Sequence, residues 1–169
     1  QEGAYFVTVC VQRRLHLFGQ VVDGDMRLNP AGSMVADWWQ KLPGKFPDVD
    51  IDLYVVMPNH FHGIVIINRP FVGGHPRMPP IDNPAGGYID PPLHRTGLSD
   101  VIQWFKIMTT NHYIRGVKSD HWLPFPGKIW QRSYHDHIIR NESSLNKIRE
   151  YVLNNPALWE KDRFYSGVK

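Results

Sequence analysis

The sequence predicts an α+β fold, an antiparallel sheet with helices packed against it, and three observations carry that expectation. Runs rich in β-branched and aromatic residues at 4–12, 49–57 and 60–67 have strand character. The second and third are separated only by Pro58 and Asn59, a turn pair that folds them into an antiparallel hairpin. Between and after these runs lie segments whose apolar residues recur at helical spacing.

In chain order, AYFVTVCVQ (4–12) is the first strand. NPAGSMVADWWQKL (29–42) follows as a helix, with Asn29 as its cap and Pro30 at the first helical position, where a missing N–H costs nothing. VDIDLYVVM and HFHGIVII form the hairpin. From 70 to 97 the composition changes: seven prolines and five glycines suit neither a helix nor a central strand, so a flexible surface insertion is expected. LSDVIQWFKIMTTNHYIRG (98–116) is a helix with Ser99 as cap, Val101, Ile102, Phe105 and Met108 on one face, and Gly116 as its stop. IWQRSYHDHIIR (129–140) alternates as a fourth strand, and ESSLNKIREYVLNN (142–155) is an amphipathic helix ended by Pro156. Strand, helix, two strands, helix, strand is the split βαβ, ferredoxin-like plan, here with an added C-terminal helix.

The 169 residues, 42% of them hydrophobic, suffice for one core, so residues 1–169 are expected to form a single domain. A formal charge of +3 and a pI near 9.0 lean towards an anionic partner, without the excess of a protein that binds duplex DNA by charge alone. Cys10 is the sole cysteine, which excludes an internal disulfide and a cysteine-based zinc cluster and fits a reducing, cytoplasmic setting. No apolar run approaches the ~20 residues of a membrane span, and no membrane partner is expected. The chain opens at Gln1 without a Met, so a few residues are expected before it.

Within MPNHFHGIVII, His60 and His62 share one face of a strand about 6.6 Å apart, while Phe61 points the other way and anchors the strand in the core. Two neutral imidazoles on one face can bind one metal ion, and the Pro58–Asn59 turn puts the pair at a sheet rim where a ligand can approach. Such histidines can also serve packing alone. SYHDHIIR repeats the spacing with His135 and His137, but Asp136 between them cannot anchor a strand as Phe61 does, so the first pair is the stronger candidate.

Seven tyrosines offer a nucleophile. A tyrosine hydroxyl, with a pKa near 10, stays protonated at neutral pH and needs a polarised phosphate, a base, or both. Tyr151 lies soon after the fourth strand with Asn155 four residues on, on the same helical face; packing beside Ile148 and Val152 is its alternative role. Tyr113 in TNHYIRG is the rival. Pro156 is expected to push Asn155 out of the α region.

Together the blocks YFVTVCVQRR, YVVMPNHFHGIVI, IQWFK, WQRSYHDHIIRNE and IREYVLNNPALWEKD resemble, in order and spacing over nearly the whole chain, the single-tyrosine HUH transposases, and among them the REP-associated tyrosine transposases. The resemblance implies cleavage and joining of single-stranded DNA at hairpin-forming repeats. It implies Mg2+ or Mn2+ held by His60 and His62, Tyr151 as the nucleophile that forms a 5′-phosphotyrosine, and Asn155 as a further metal ligand. For His137 it implies a structural or DNA-positioning role, and for the chain a monomer rather than a helix-swapped dimer. Arg13, Arg14, Lys106, Arg115, Lys118, Lys128, Arg132 and Arg140 are candidates for phosphate contacts, and Trp104, Trp122 and Trp130 for base stacking. Two further classes compete: a hairpin-binding module of the same fold with little or no cleavage, and a zinc hydrolase, disfavoured because no Glu adjoins the pair as a general base.

Overall fold

The computed structural model of the chain describes residues 2–68 and 96–166. The chain runs through β1 (Gly3–Cys10), a 3₁₀ turn (Gln12–Arg14), β2 (Gly19–Val22), β3 (Asp25–Leu28), α1 (Pro30–Gln40), a single turn α2 (Leu42–Lys45), β4 (Val49–Met57), β5 (His60–Ile67), α3 (Leu98–Ser119), β6 (His135–Ile139) and α4 (Glu142–Asn154). Four strands form an antiparallel sheet in the order β4-β5-β1-β6, and β2 and β3 form a separate ribbon. With α1 between β1 and β4, and α3 between β5 and β6, this is the expected split βαβ topology. The insertion expected at 70–97 lies outside the described residues, apart from Thr96 and Gly97.

Several element ends follow from local chemistry. Asn29 caps α1, its side-chain oxygen accepting from the Gly32 amide at 2.9 Å. The β2–β3 ribbon, which the reading above does not contain, turns at Asp23 (φ 53) and Gly24 (φ 80), the left-handed pair a tight hairpin requires. Two expectations for α3 are corrected. Its N-cap is Gly97 rather than Ser99, and Asp100 accepts from the Gly97 amide at 2.8 Å. Gly116 does not stop the helix, which runs to Ser119; a Cβ there would sit 2.3 Å from the Trp122 ring, so this glycine admits an indole. The fourth strand is also shorter than 129–140, because Trp130 makes only an isolated bridge to Val11 before β6 begins at His135.

Strand alternation divides the sheet into two different faces. On one face Phe61 packs on Trp39 of α1 and Phe105 of α3, with ring centroids 4.6 and 5.2 Å away. That face carries the main core. On the other, Phe6 and Thr8 of β1 lie between His62 of β5 and the histidines of β6, and α4 crosses above them from β6 to β4. A β-bulge between Ile51 and Tyr54 accompanies the contact that holds α4: Arg149 donates to Asp52 Oδ2 from Nε at 2.9 Å and from Nη2 at 2.6 Å.

Candidate active site

The residues Met57 to Ile67 are apolar enough to bury β5 on both faces, and the His-x-His pair is buried with it: His60 is 0% and His62 1% exposed. The sheet rim expected to leave them open is covered by the C-terminal turn, where Phe164 and Trp159 stack near His60 at 4.7 and 5.8 Å between ring centroids. Hydrogen bonds orient both rings. Asn59 Oδ1 can only accept, so the 2.8 Å contact assigns a proton to His60 Nδ1 and leaves Nε2 with a free lone pair. His62 Nδ1 lies 2.7 Å from the Thr8 hydroxyl, and the two Nε2 atoms face each other at 3.0 Å. Burial holds both imidazoles neutral: the His60 pKa falls to about 3, helped by the nearby charges of Arg14 and Arg163, and that of His62 falls well below its usual range, helped by His60.

Tyr151 of α4 reaches this pair. Its hydroxyl lies 3.4 Å from His62 Nε2 and donates to Asp162 Oδ2 at 3.2 Å, and its ring packs edge-on against Phe6. Burial, and then the Asp162 charge, push its pKa up to about 12. Asn155 keeps α-region dihedrals (φ −57, ψ −42) although Pro156 follows, because the chain continues into a turn in which the Leu158 amide bonds back to the Asn154 and Asn155 carbonyls. Its amide donates to Asp162 Oδ2 at 2.8 Å.

Nitrogens of His60 and His62 and a carboxylate oxygen of Asp162 lie within 4.8 Å of one another, a group able to hold a metal ion. The residues fit a divalent cation on a second count. Asn155 Oδ1, in a residue 1% exposed, has no hydrogen-bond partner. A buried acceptor left so costs about 1–3 kcal/mol, and a cation would satisfy it.

The other expected residues divide sharply. Tyr113 is fully buried beneath Trp122 and Phe125 and its hydroxyl donates to the Leu123 carbonyl, so the rival nucleophile is a packing residue. His135 and His137 pair with Thr8 and Phe6 of β1, which puts the second His-x-His on the same sheet face as the first, on the far side of β1, and exposed. Trp130 is core, donating to Thr109, and Trp104 and Trp122 are half-buried against aromatic neighbours. Lys106 is committed to the carbonyls of Gln131, Arg132 and Ser133. Arg13, Arg115, Lys118, Lys128, Arg132 and Arg140 are exposed, spread along α3 and the loops, and Arg14 alone of the basic set packs beside the histidines, over Phe164.

Sequence reasoning missed Thr8, Asn59, Asp162, Arg163 and Phe164. Asp162 closes the YVLNNPALWEKD block, and its place in that block was the available signal. It gives the pair an acidic neighbour in space, although no Glu adjoins it in the sequence.

The fold and this site define a class: a ferredoxin-like domain in which an added helix carries a tyrosine onto a two-histidine strand. No protein-family model matches the chain. The solved structure of a REP-associated tyrosine transposase bound to a REP hairpin superposes with a TM-score of 0.56 at 21% identity, covering 92% of this chain and 67% of that one, a likeness of fold that bears out the resemblance. A curated Haemophilus influenzae sequence, described as an uncharacterized protein, is 36% identical over 164 residues, 97% of this chain and 86% of that one. The chain belongs to the family of this Haemophilus protein, with the fold of the REP-associated tyrosine transposases.

Proposed function

We propose that the protein is a metal-dependent nuclease and strand transferase that cleaves single-stranded DNA at hairpin-forming repeats through a 5′-phosphotyrosine. The observation that carries this reading is the convergence of the Tyr151 hydroxyl on His62 Nε2 at 3.4 Å and on Asp162 at 3.2 Å. A helix tyrosine that served only packing would have no need of a carboxylate and a neutral imidazole at its hydroxyl.

His60 Nε2, His62 Nε2, Asp162 and Asn155 Oδ1 would hold Mg2+ or Mn2+, which would supply Lewis-acid polarisation of a phosphate; imidazole donors favour Mn2+. Tyr151 Oη attacks phosphorus in line, the bond to the 3′ oxygen breaks, that oxygen takes a proton from solvent, and the strand ends as a tyrosine-linked 5′ phosphate and a free 3′-OH. Asp162 Oδ2, which accepts from the hydroxyl, marks where the phenolic proton goes. Because the phosphotyrosine preserves a high-energy ester, a 3′-OH can reverse the step and join strands. The structural neighbour's hairpin ligand supports a hairpin as the element recognised.

The test is incubation with labelled single-stranded hairpin DNA and Mn2+. The expected result is a covalent adduct lost in Tyr151→Phe with binding retained. Binding without adduct in the native chain would make it a hairpin-binding module instead. An adduct that persists in Tyr151→Phe would move the chemistry to another residue.

A further inference from the structure

We infer that Arg14 and Arg163 form an anion-binding clamp beside the histidine pair, built to take a phosphodiester of the bound strand; the choice of ligand rests on the function proposed above. Phe164, 3% exposed, lies against His60, and both guanidiniums sit over its ring, Arg14 Cζ at 4.6 Å and Arg163 Cζ at 4.5 Å from the centroid. Both charges lie within 4.6 Å of one ring centroid, which keeps them within about 9 Å of each other, and like charges so held repel. Neither makes an ion pair with a carboxylate among the described residues, since Asp162 is taken up by Tyr151, Asn155 and the Phe164 amide. Two guanidiniums on one ring without a carboxylate partner are a site for an anion that presents several oxygens, and the planar fork suits phosphate.

The backbone holds Arg14 there at a cost. Arg13 and Arg14 are consecutive non-glycine residues with φ of 57 each, a left-handed conformation that persists only where its surroundings enforce it. The surroundings do so through hydrogen bonds: the Arg14 carbonyl accepts from Asn59 Nδ2 at 3.5 Å and from the Ser166 hydroxyl at 3.4 Å. Asn59 is also the residue whose Oδ1 orients His60, and its amide donates to the Phe164 carbonyl at 3.0 Å. One buried side chain thus ties the imidazole, the ring and the strained turn together, so cation and metal pair keep a fixed relation. Arg163 is exposed and Arg14 half-buried, which leaves both guanidiniums reachable from solvent.

The test separates the clamp from the cleavage chemistry by working without metal. In the full chain carrying Tyr151→Phe, in EDTA, the anisotropy of a fluorescein-labelled single-stranded hairpin oligonucleotide is titrated at several salt concentrations. Arg163→Ala is expected to weaken binding roughly tenfold and to lower the slope of log affinity against log salt by about 0.7, the value for one lost phosphate contact on a single strand. Arg163→Lys is expected to keep the slope. Arg14→Ala should act alike, and because it can also loosen Phe164, the exposed Arg163 decides. An unchanged slope in Arg163→Ala, with the native chain still forming the tyrosine adduct, overturns the clamp and leaves the function standing. A lowered slope in a protein that forms no adduct supports the clamp and removes the cleavage.

Discussion

Thr8→Val exchanges a buried hydroxyl for a methyl group of nearly the same shape, at a position 1% exposed, and it removes the 2.7 Å partner of His62 Nδ1. For His62 to offer the Nε2 lone pair to a cation, its proton must sit on Nδ1 and be received by the Thr8 oxygen. Without metal the proton sits on His62 Nε2 and is donated to His60 Nε2 across 3.0 Å in either chain. Metal binding moves it to Nδ1, where Val leaves the buried N–H unmatched, a penalty of about 1–3 kcal/mol. Loss of such an orienting partner typically lowers metal affinity about 10–100-fold, or about 1.4–2.8 kcal/mol, which lies within that penalty. The assay is titration of the full chain with Mn2+ followed by electron paramagnetic resonance, with Thr8→Ser expected to bind as the native chain does. If Thr8→Val binds Mn2+ within about threefold of the native affinity, given that typical 10–100-fold effect, the tautomer reasoning is wrong.

Acid should destabilise the fold through the same pair. His60 has a folded pKa lowered from 6.5 to about 3, so its contribution is full above pH 6.5 and declines as the unfolded chain takes up the proton between 6.5 and about 3. At pH 5 the loss from His60 alone is about 2 kcal/mol, measurable by urea unfolding at pH 7 and pH 5 without metal; a midpoint independent of pH would contradict the buried neutral state. Gly63→Ala should cost about 1–3 kcal/mol by overpacking, because the new Cβ would stand 2.6 Å from Trp39 Cζ2 and 2.7 Å from Phe61 Cε1; an unchanged unfolding midpoint would refute it. Asp162→Asn should bring the Tyr151 pKa down from about 12, read from tyrosinate absorbance against Tyr151→Phe, while adduct formation falls because a metal donor and proton acceptor are lost; a faster adduct would show that nucleophile ionisation, not the carboxylate, limits the step.

Much of this fold was legible because strand periodicity, turn chemistry and caps are local. Phe61 inward with His60 and His62 opposite is an alternation of two, and the Asn29 cap with Pro30 is a four-residue pattern. The β2–β3 ribbon was also written locally, in the Asp23-Gly24 turn of VVDGDM, and was missed because its strands are only four residues long and mostly polar. Gly116 misled because a glycine that admits an indole across the chain looks, in one dimension, like a helix stop. Asp162 could not be placed at all from spacing: it lies 11 residues from Tyr151, past a proline turn, and only the packing of Trp159 and Phe164 on His60 brings its carboxylate to the site. The burial of the histidines was equally non-local, set by a turn that sequence separates from them by a hundred residues.

The charges around the site bear on the proposed substrate independently of fold. Burial makes the two imidazoles neutral donors, so the metal pair itself brings no charge. Asp162 contributes one negative charge, and it is already shared between Tyr151 and Asn155. Against it stand Arg14 and Arg163, both on the Phe164 ring, so the pocket is net positive before any cation enters and more so afterwards. A neutral ester or peptide would leave that charge uncompensated in a partly desolvated place, whereas a phosphodiester flanked by further phosphates balances it. The same balance bears on Tyr151. Burial first, and then the Asp162 carboxylate, push its pKa up to about 12, and a cation engaging that carboxylate would bring it down. On the function proposed above, a hydroxyl so held stays protonated in the free protein, and the tyrosine is kept from reacting before a cation binds.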